Sequence, residues 1–164
     1  MTPDRLPGDG QLSIVAACLY LLPVQARMPL KFGAETLTQV TCARVSLTIA
    51  DKSGVQATGW GETPLSAAWV WPGPLSYRER EVALIEFCKV LATEWLSTNR
   101  FNDPLELGAL FLDEILPRLL EQYNLRFPVD RRLPLLAGLV CASPFDLALH
   151  DAFGRLLNRP IYSL

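Results

Sequence analysis

The sequence is poor in the residues from which catalytic centres are commonly assembled. It has a single histidine, His150, among 164 residues. Most acid–base relays and zinc sites are hard to build on one imidazole. Its four cysteines, Cys18, Cys42, Cys88 and Cys141, form no C-x-x-C pair, which removes zinc ribbons and thioredoxin-like redox motifs. Each lies among apolar neighbours and reads as a buried, reduced thiol. There is no basic cluster. Fifteen Lys and Arg against seventeen Asp and Glu give a formal charge of −2. Nucleic-acid binding, which needs concentrated positive charge, is therefore not expected. No G-x-S-x-G, H-E-x-x-H, P-loop or dinucleotide glycine pattern occurs. The apolar stretch Leu12–Leu22 falls short of the ~20 residues of a membrane span. Asp4, Arg5 and Asp9 precede it where a secretion signal would carry positive charge, so a cytoplasmic protein without membrane contact is expected. What is present is a folding composition: half the residues are hydrophobic, enough to offset the entropy of ordering one domain.

Residues 1–10, with Pro3, Pro7, Gly8 and Gly10, read as a flexible tail. Leu12–Gln25 reads as a strand covered on both faces, and Met28–Glu35, with Pro29 and Gly33, as a loop. In Thr36–Ala50 the residues alternate: Val45, Leu47 and Ile49 share one face of a strand, Arg44, Ser46 and Thr48 the other. Asp51-Lys52-Ser53-Gly54 is a turn into a third strand, Val55–Glu62. Three antiparallel strands in a meander follow. Beyond residue 63 the pattern becomes helical. A rigid loop with Pro64, Pro72, Gly73 and Pro74 carries Trp69 and Trp71. Ser76-Tyr77-Arg78-Glu79 is a capping box, and Leu84, Cys88, Leu91 and Trp95 form one stripe behind it. Asp103-Pro104 starts a second helix running to about Gln122 and kinked by Pro117. Ser143-Pro144 starts a third, with Leu133–Ala142 leading into it. Strands first and helices second make the fold class α+β.

Chemistry is sparse. Asp151 diverges from His150 by about 100° on a helix and cannot orient it. Glu79, Glu81 and Glu86 interleave with Arg78, Arg80 and Lys89 as a solvated helix face does. Gly59-Trp60-Gly61-Glu62 lacks the following helix that a phosphate cradle needs. The tryptophan loop suits either a binding surface or a cover for the sheet. The helix from Phe145 to Leu157 has an apolar face wider than a small sheet requires, which implies burial against something further.

In order and spacing, these elements resemble the amino-terminal capping domain of the mandelate racemase/muconate lactonizing enzyme branch of the enolase superfamily. The resemblance rests on Arg27-Met28-Pro29-Leu30, Val45-Ser46-Leu47, the Asp51–Gly54 turn and Gly59-Trp60-Gly61-Glu62. It rests above all on Phe145-Asp146-Leu147-Ala148-Leu149-His150-Asp151, continuing through Gly154-Arg155 to Pro160-Ile161-Tyr162. His150 stands where the family carries tryptophan, and Arg155 where it carries lysine.

The resemblance implies a three-stranded meander and helical bundle that close over the mouth of a (β/α)₈ barrel. It implies that Met28–Glu35 and Thr63–Trp71 border the substrate, with Lys31, Phe32, Trp69 and Trp71 as the candidate contacts. The family abstracts a proton α to a carboxylate, using barrel-borne bases and magnesium held by barrel carboxylates. None of those groups falls within these 164 residues, so no catalytic residue and no metal ligand is assigned to this chain, and magnesium is implied only for a full-length member. The expected organisation is a tail at 1–10, a capping domain at 11–142 and a helix with a connection towards a barrel at 143–164. Its expected partners are a barrel, in cis or in trans, and in the complete enzyme a small carboxylate substrate. The alternative is a stand-alone binding or self-associating scaffold module of the same fold, joined through its exposed apolar face. An independent enzyme using Glu62 or His150 is a third, weaker reading.

Overall fold

A computed structural model describes residues 12–33, 35–98 and 100–163. The tail expected at 1–10 lies outside the described residues. Strands β1 (Ser13–Phe32), β2 (Glu35–Ala50) and β3 (Gln56–Pro64) form an antiparallel sheet in the order β1-β2-β3. The helices are α1 (Ala67–Val70), α2 (Tyr77–Ser97), α3 (Pro104–Leu110), α4 (Leu116–Asn124) and α5 (Leu135–Leu156). This is the expected α+β meander with its helices on one face.

The alternation in β2 decides which face is covered. Val45, Leu47 and Ile49 are fully buried under the helices, while Arg44 points outward. β1 is not covered on both faces: Tyr20 and Val24, on the side away from the helices, are exposed. Cys18 is also exposed there, so only Cys42, Cys88 and Cys141 are buried, against the expectation for all four. The turn after β2 forms as its sequence predicts. Asp51 Oδ1 accepts from the amides of Ser53 and Val55 and from the Ser53 hydroxyl, and Gly54 takes φ 84°.

β3 carries glycine at 59 and 61 because α5 lies directly on its backbone. A Cβ at Gly59 would sit 2.0 Å from the Ala152 nitrogen, and one at Gly61 2.0 Å from the Pro144 carbonyl oxygen. Small residues on the helix, Ala148 and Ala152, complete this close approach. α5 departs from expectation, since Ser143 does not begin a helix. The helix runs unbroken from Leu135 to Leu156 with Pro144 inside it. Burial of Ala137, Val140 and Cys141 against the core outweighs the one hydrogen bond that proline removes. The segment Val129–Leu156 is long and apolar enough to cross a bilayer, at mean hydropathy 1.5, yet 56% of its apolar window is buried within the protein.

The capping box at Ser76 forms in both directions, with the Glu79 amide donating to Ser76 Oγ and the Ser76 amide donating to Glu79 Oε2. Leu84, Cys88, Leu91 and Trp95 are buried as their spacing predicts. Asp103 caps α3 by accepting from the Leu105 amide. The kink expected at Pro117 takes the form of a π-helical turn, Phe111–Ile115, between α3 and α4. The Leu116 amide donates to the Phe111 carbonyl, a wider turn that accommodates a proline without an N–H. Phe111 stacks on Trp95 at 4.1 Å between ring centroids, and Phe145 lies parallel on Trp95 at 6.2 Å.

Candidate functional site

The segments that matter for the resemblance lie in the β1–β2 hairpin and in the stretch after β3. Met28–Glu35 is not a loop. Beyond a register shift between Gln25 and Leu30, the strands pair again as Leu30 with Leu37, Lys31 with Thr36 and Phe32 with Glu35. Pro29 falls in the irregular stretch, where its missing N–H disrupts no ladder. Gly33, at φ 57°, turns the chain. After β3, the Leu65 amide donates to the Thr41 carbonyl, and one helical turn, α1, follows where a rigid loop is expected from sequence.

Arg80, in the first turn of α2, joins these two segments. Its side chain is 2% exposed. Nη2 donates to both carboxylate oxygens of Glu35, at 2.8 and 2.7 Å. Nη1 donates to the carbonyls of Trp71 at 2.6 Å and Ala67 at 3.3 Å, and Nε donates to that of Ser76 at 3.4 Å. A buried guanidinium requires such pairing, and its planar fork suits a bidentate carboxylate. This corrects the reading of Arg80 as part of a solvated face. The sequence did hold a signal: Arg80 lies four residues before Leu84, on the buried stripe itself.

Beside this clamp lies a cavity of about 300 Å³ lined by Glu35, Thr36, Leu37, Thr38, Gln39, Ala68 and Tyr77. The Tyr77 hydroxyl is buried with no hydrogen-bond partner among the described residues, as is that of Ser66. Burial, and then the Glu81 carboxylate, raise the Tyr77 phenol above its ordinary value, while Arg80 pulls the other way. Glu81 itself accepts from Thr41 Oγ1 at 2.8 Å.

The four residues proposed from sequence divide. Lys31 is exposed near the hairpin turn, and Phe32 closes β1 opposite Glu35. Trp69 is 56% exposed on α1. Trp71 turns inward, 7% exposed, and lines a separate cavity of about 370 Å³ with Leu75, Tyr123 and Phe127. Lys31, Trp69 and Trp71 do not line the cavity beside the clamp.

Elsewhere, His150 Nε2 lies 3.7 Å from Asp146 Oδ1, one helical turn away. Asp151 is turned to other partners, accepting from the Trp60 amide and from Arg155 Nε. Glu62 pairs with Arg44 at 2.6 Å on the open face of the sheet, where Tyr20 and Trp60 lie 5.8 Å apart. Among the described residues, no three His, Cys, Asp or Glu side chains converge as a metal cage.

No family model and no curated protein matches the chain. Solved structures do. L-Talarate/galactarate dehydratase from Salmonella typhimurium LT2 aligns over 99% of this chain and 35% of its own, at 16% identity and TM-score 0.52. The same enzyme liganded with Mg and L-lyxarohydroxamate aligns over 99% and 36%, again at 16% identity and 0.52. The L-Ala-D/L-Glu epimerase from Bacillus subtilis aligns over 92% and 33%, at 17% identity and 0.50. At these identities the likeness is one of fold: the chain folds as a part of these enzymes does, as the resemblance read from the sequence implies. It spans about a third of the length of these structures, and no barrel is present among its described residues.

Proposed function

We propose that the chain serves as the substrate-capping domain of a mandelate racemase/muconate lactonizing-type enzyme, which abstracts a proton α to a carboxylate. The observation that carries this reading is the clamp. The two segments that the resemblance assigns to the substrate, the β1–β2 hairpin and the stretch after β3, are fastened to one side chain, Arg80. Lys31 and Trp69 would meet the substrate from those segments, with Phe32 beside them. Trp71 would act by anchoring the turn that carries Trp69. In this role the chain excludes water and selects among carboxylates, and the proton is moved by groups outside these residues.

Magnesium is implied for the complete enzyme, and matched structures of the dehydratase are liganded with Mg. This chain's side chains do not fit it, because no three potential ligands converge among the described residues, and no step here passes through a metal. Residues 11–142 would form the capping body and 143–164 would lead towards a cytoplasmic barrel, most simply in cis. Leu136, Leu139 and Leu147 recur on the outward side of α5 at 45%, 36% and 48% exposure, which suits cover by such a barrel. The same leucines favour the second reading, self-association through this face. Sedimentation of the isolated chain distinguishes them, since a monomer at all concentrations counts against self-association.

The decisive assay follows α-proton exchange on a panel of carboxylates in deuterated buffer with magnesium. Exchange is expected only when the chain is joined to, or mixed with, a barrel of this family. Lys31→Ala and Trp69→Ala should then change KM and substrate preference more than kcat. Exchange by the 164-residue chain alone would overturn the reading.

A further inference from the structure

We propose that Arg80 and Glu35 form a positioning clamp that makes the hairpin tip and the Trp69 turn open and close as one unit. Calling it positioning rests on the capping reading; the coupling itself follows from the geometry of the clamp. Among the described residues, no hydrogen bond other than those of Arg80 joins residues 31–39 to residues 66–76. The guanidinium is buried, whereas Glu35 keeps a third of its side chain in solvent.

Consider each segment leaving alone. If the hairpin tip lifts away, the two Nη2 bonds are lost and the guanidinium stays under the α1 turn without a counter-charge. If the turn lifts, the carbonyls of Ala67 and Trp71 lose their donor and Nη1 loses its acceptors, while Nη2 stays held by Glu35. Both half-open states leave buried polar or charged groups unpaired, which is the costly condition for them. When both segments leave together, water reaches the guanidinium and replaces Glu35 and the carbonyls of Ala67 and Trp71. Joint opening is therefore less costly than the sum of two separate openings, and that difference is a coupling free energy. The consequence for selection is direct. A substrate group that displaces one segment displaces the other, so the two segments act as a single specificity element.

Native-state hydrogen exchange on the whole 164-residue chain tests this without any substrate. In the unsubstituted protein, the amides of Leu30 and Leu37, a hydrogen-bonded pair of the hairpin by the alternation of its register, and those of Trp69, Val70 and Trp71 are expected to exchange with one shared denaturant dependence. Two distinct dependences overturn the proposal. In Glu35→Gln, which keeps an acceptor oxygen but no counter-charge, both sets should exchange about tenfold faster or more, while core amides from Leu84 to Leu91 keep their rates. Faster exchange confined to the hairpin, or uniform through α2, also overturns it. Arg80→Lys keeps the charge without the fork and should not restore protection. Should Arg80 variants fail to fold, the unsubstituted protein still decides. An uncoupled result counts against the clamp alone, whereas failure of α-proton exchange with a barrel present counts against capping.

Discussion

The backbone amide of Trp60 donates to Asp151 Oδ2 at 2.9 Å, across 91 residues of sequence. Trp60 lies on β3, an edge strand, and Asp151 on the helix that packs against it, so the carboxylate occupies a place that a further strand would otherwise take. The same oxygen also accepts from Arg155 Nε. Asp151→Ala should cost about 1–2 kcal/mol in chemical denaturation, and Asp151→Asn, which keeps an acceptor, less. Equal losses in the two variants would mean that the hydrogen bond contributes little.

Gly59→Ala and Gly61→Ala should be far more damaging than their size suggests. Each added methyl meets backbone atoms of α5 at 2.0 Å, and backbone cannot rotate away. A loss of about 3 kcal/mol or more is expected from such overpacking. Gly73→Ala, with nothing within 4 Å of its Cβ position, is the matched control and should leave the denaturation midpoint nearly unchanged.

Acid stability should depend on two exposed carboxylates. Glu79 is held below its ordinary value of 4.5, chiefly by the Ser76 hydroxyl, and Asp51 below 3.8, chiefly by Ser53. A carboxylate with a lowered folded-state pKa is protonated more readily in the unfolded chain. Its contribution is complete above the ordinary value and is lost as pH falls through the lower folded one. Ser76→Ala should cost about 1 kcal/mol at neutral pH as a lost N-cap. It should also flatten the decline of stability below pH 4.5 that Glu79 contributes. An unchanged acid limb in that variant would detach Glu79 from the effect.

Thiol titration should find one fast cysteine. Cys18 is exposed, and the other three are buried. Burial, then the Glu62 carboxylate, raise the Cys42 thiol, and burial raises Cys141 further. Reagents that attack thiolate should therefore modify Cys18 alone in the folded protein and all four cysteines after unfolding. Cys18→Ser should abolish the fast phase.

What the sequence disclosed is what is encoded locally. The capping box at Ser76, the Asp103 cap, the Asp51 turn and the stripe from Leu84 to Trp95 each depend on neighbours within a turn or two, and each formed as predicted. The misreadings arose where distant contacts override local preference. Pro29 and Gly33 suggested a loop, but pairing with β2 resumes beyond Pro29 and carries the strand to Phe32, leaving Gly33 to the turn. Pro144 suggested a helix start, but the core holds the helix on both sides of it. Arg80 looked like one more surface charge because its partner is 45 residues away. The candidate site was legible as two segments and illegible as a unit, since the residue that unites them lies in neither.

The bare backbone at Gly59 and Gly61 also bears on how the molecule assembles. The three strands are joined by tight turns and can pair early, whereas α5 must close a span of about ninety residues to reach β3. Until it arrives, the glycine strip stays wet and an apolar helix of 22 residues stays without its seat. Docking of α5 is thus the step that turns a paired sheet into a closed core. Chaperone demand and aggregation should track that interval rather than the pairing of the strands.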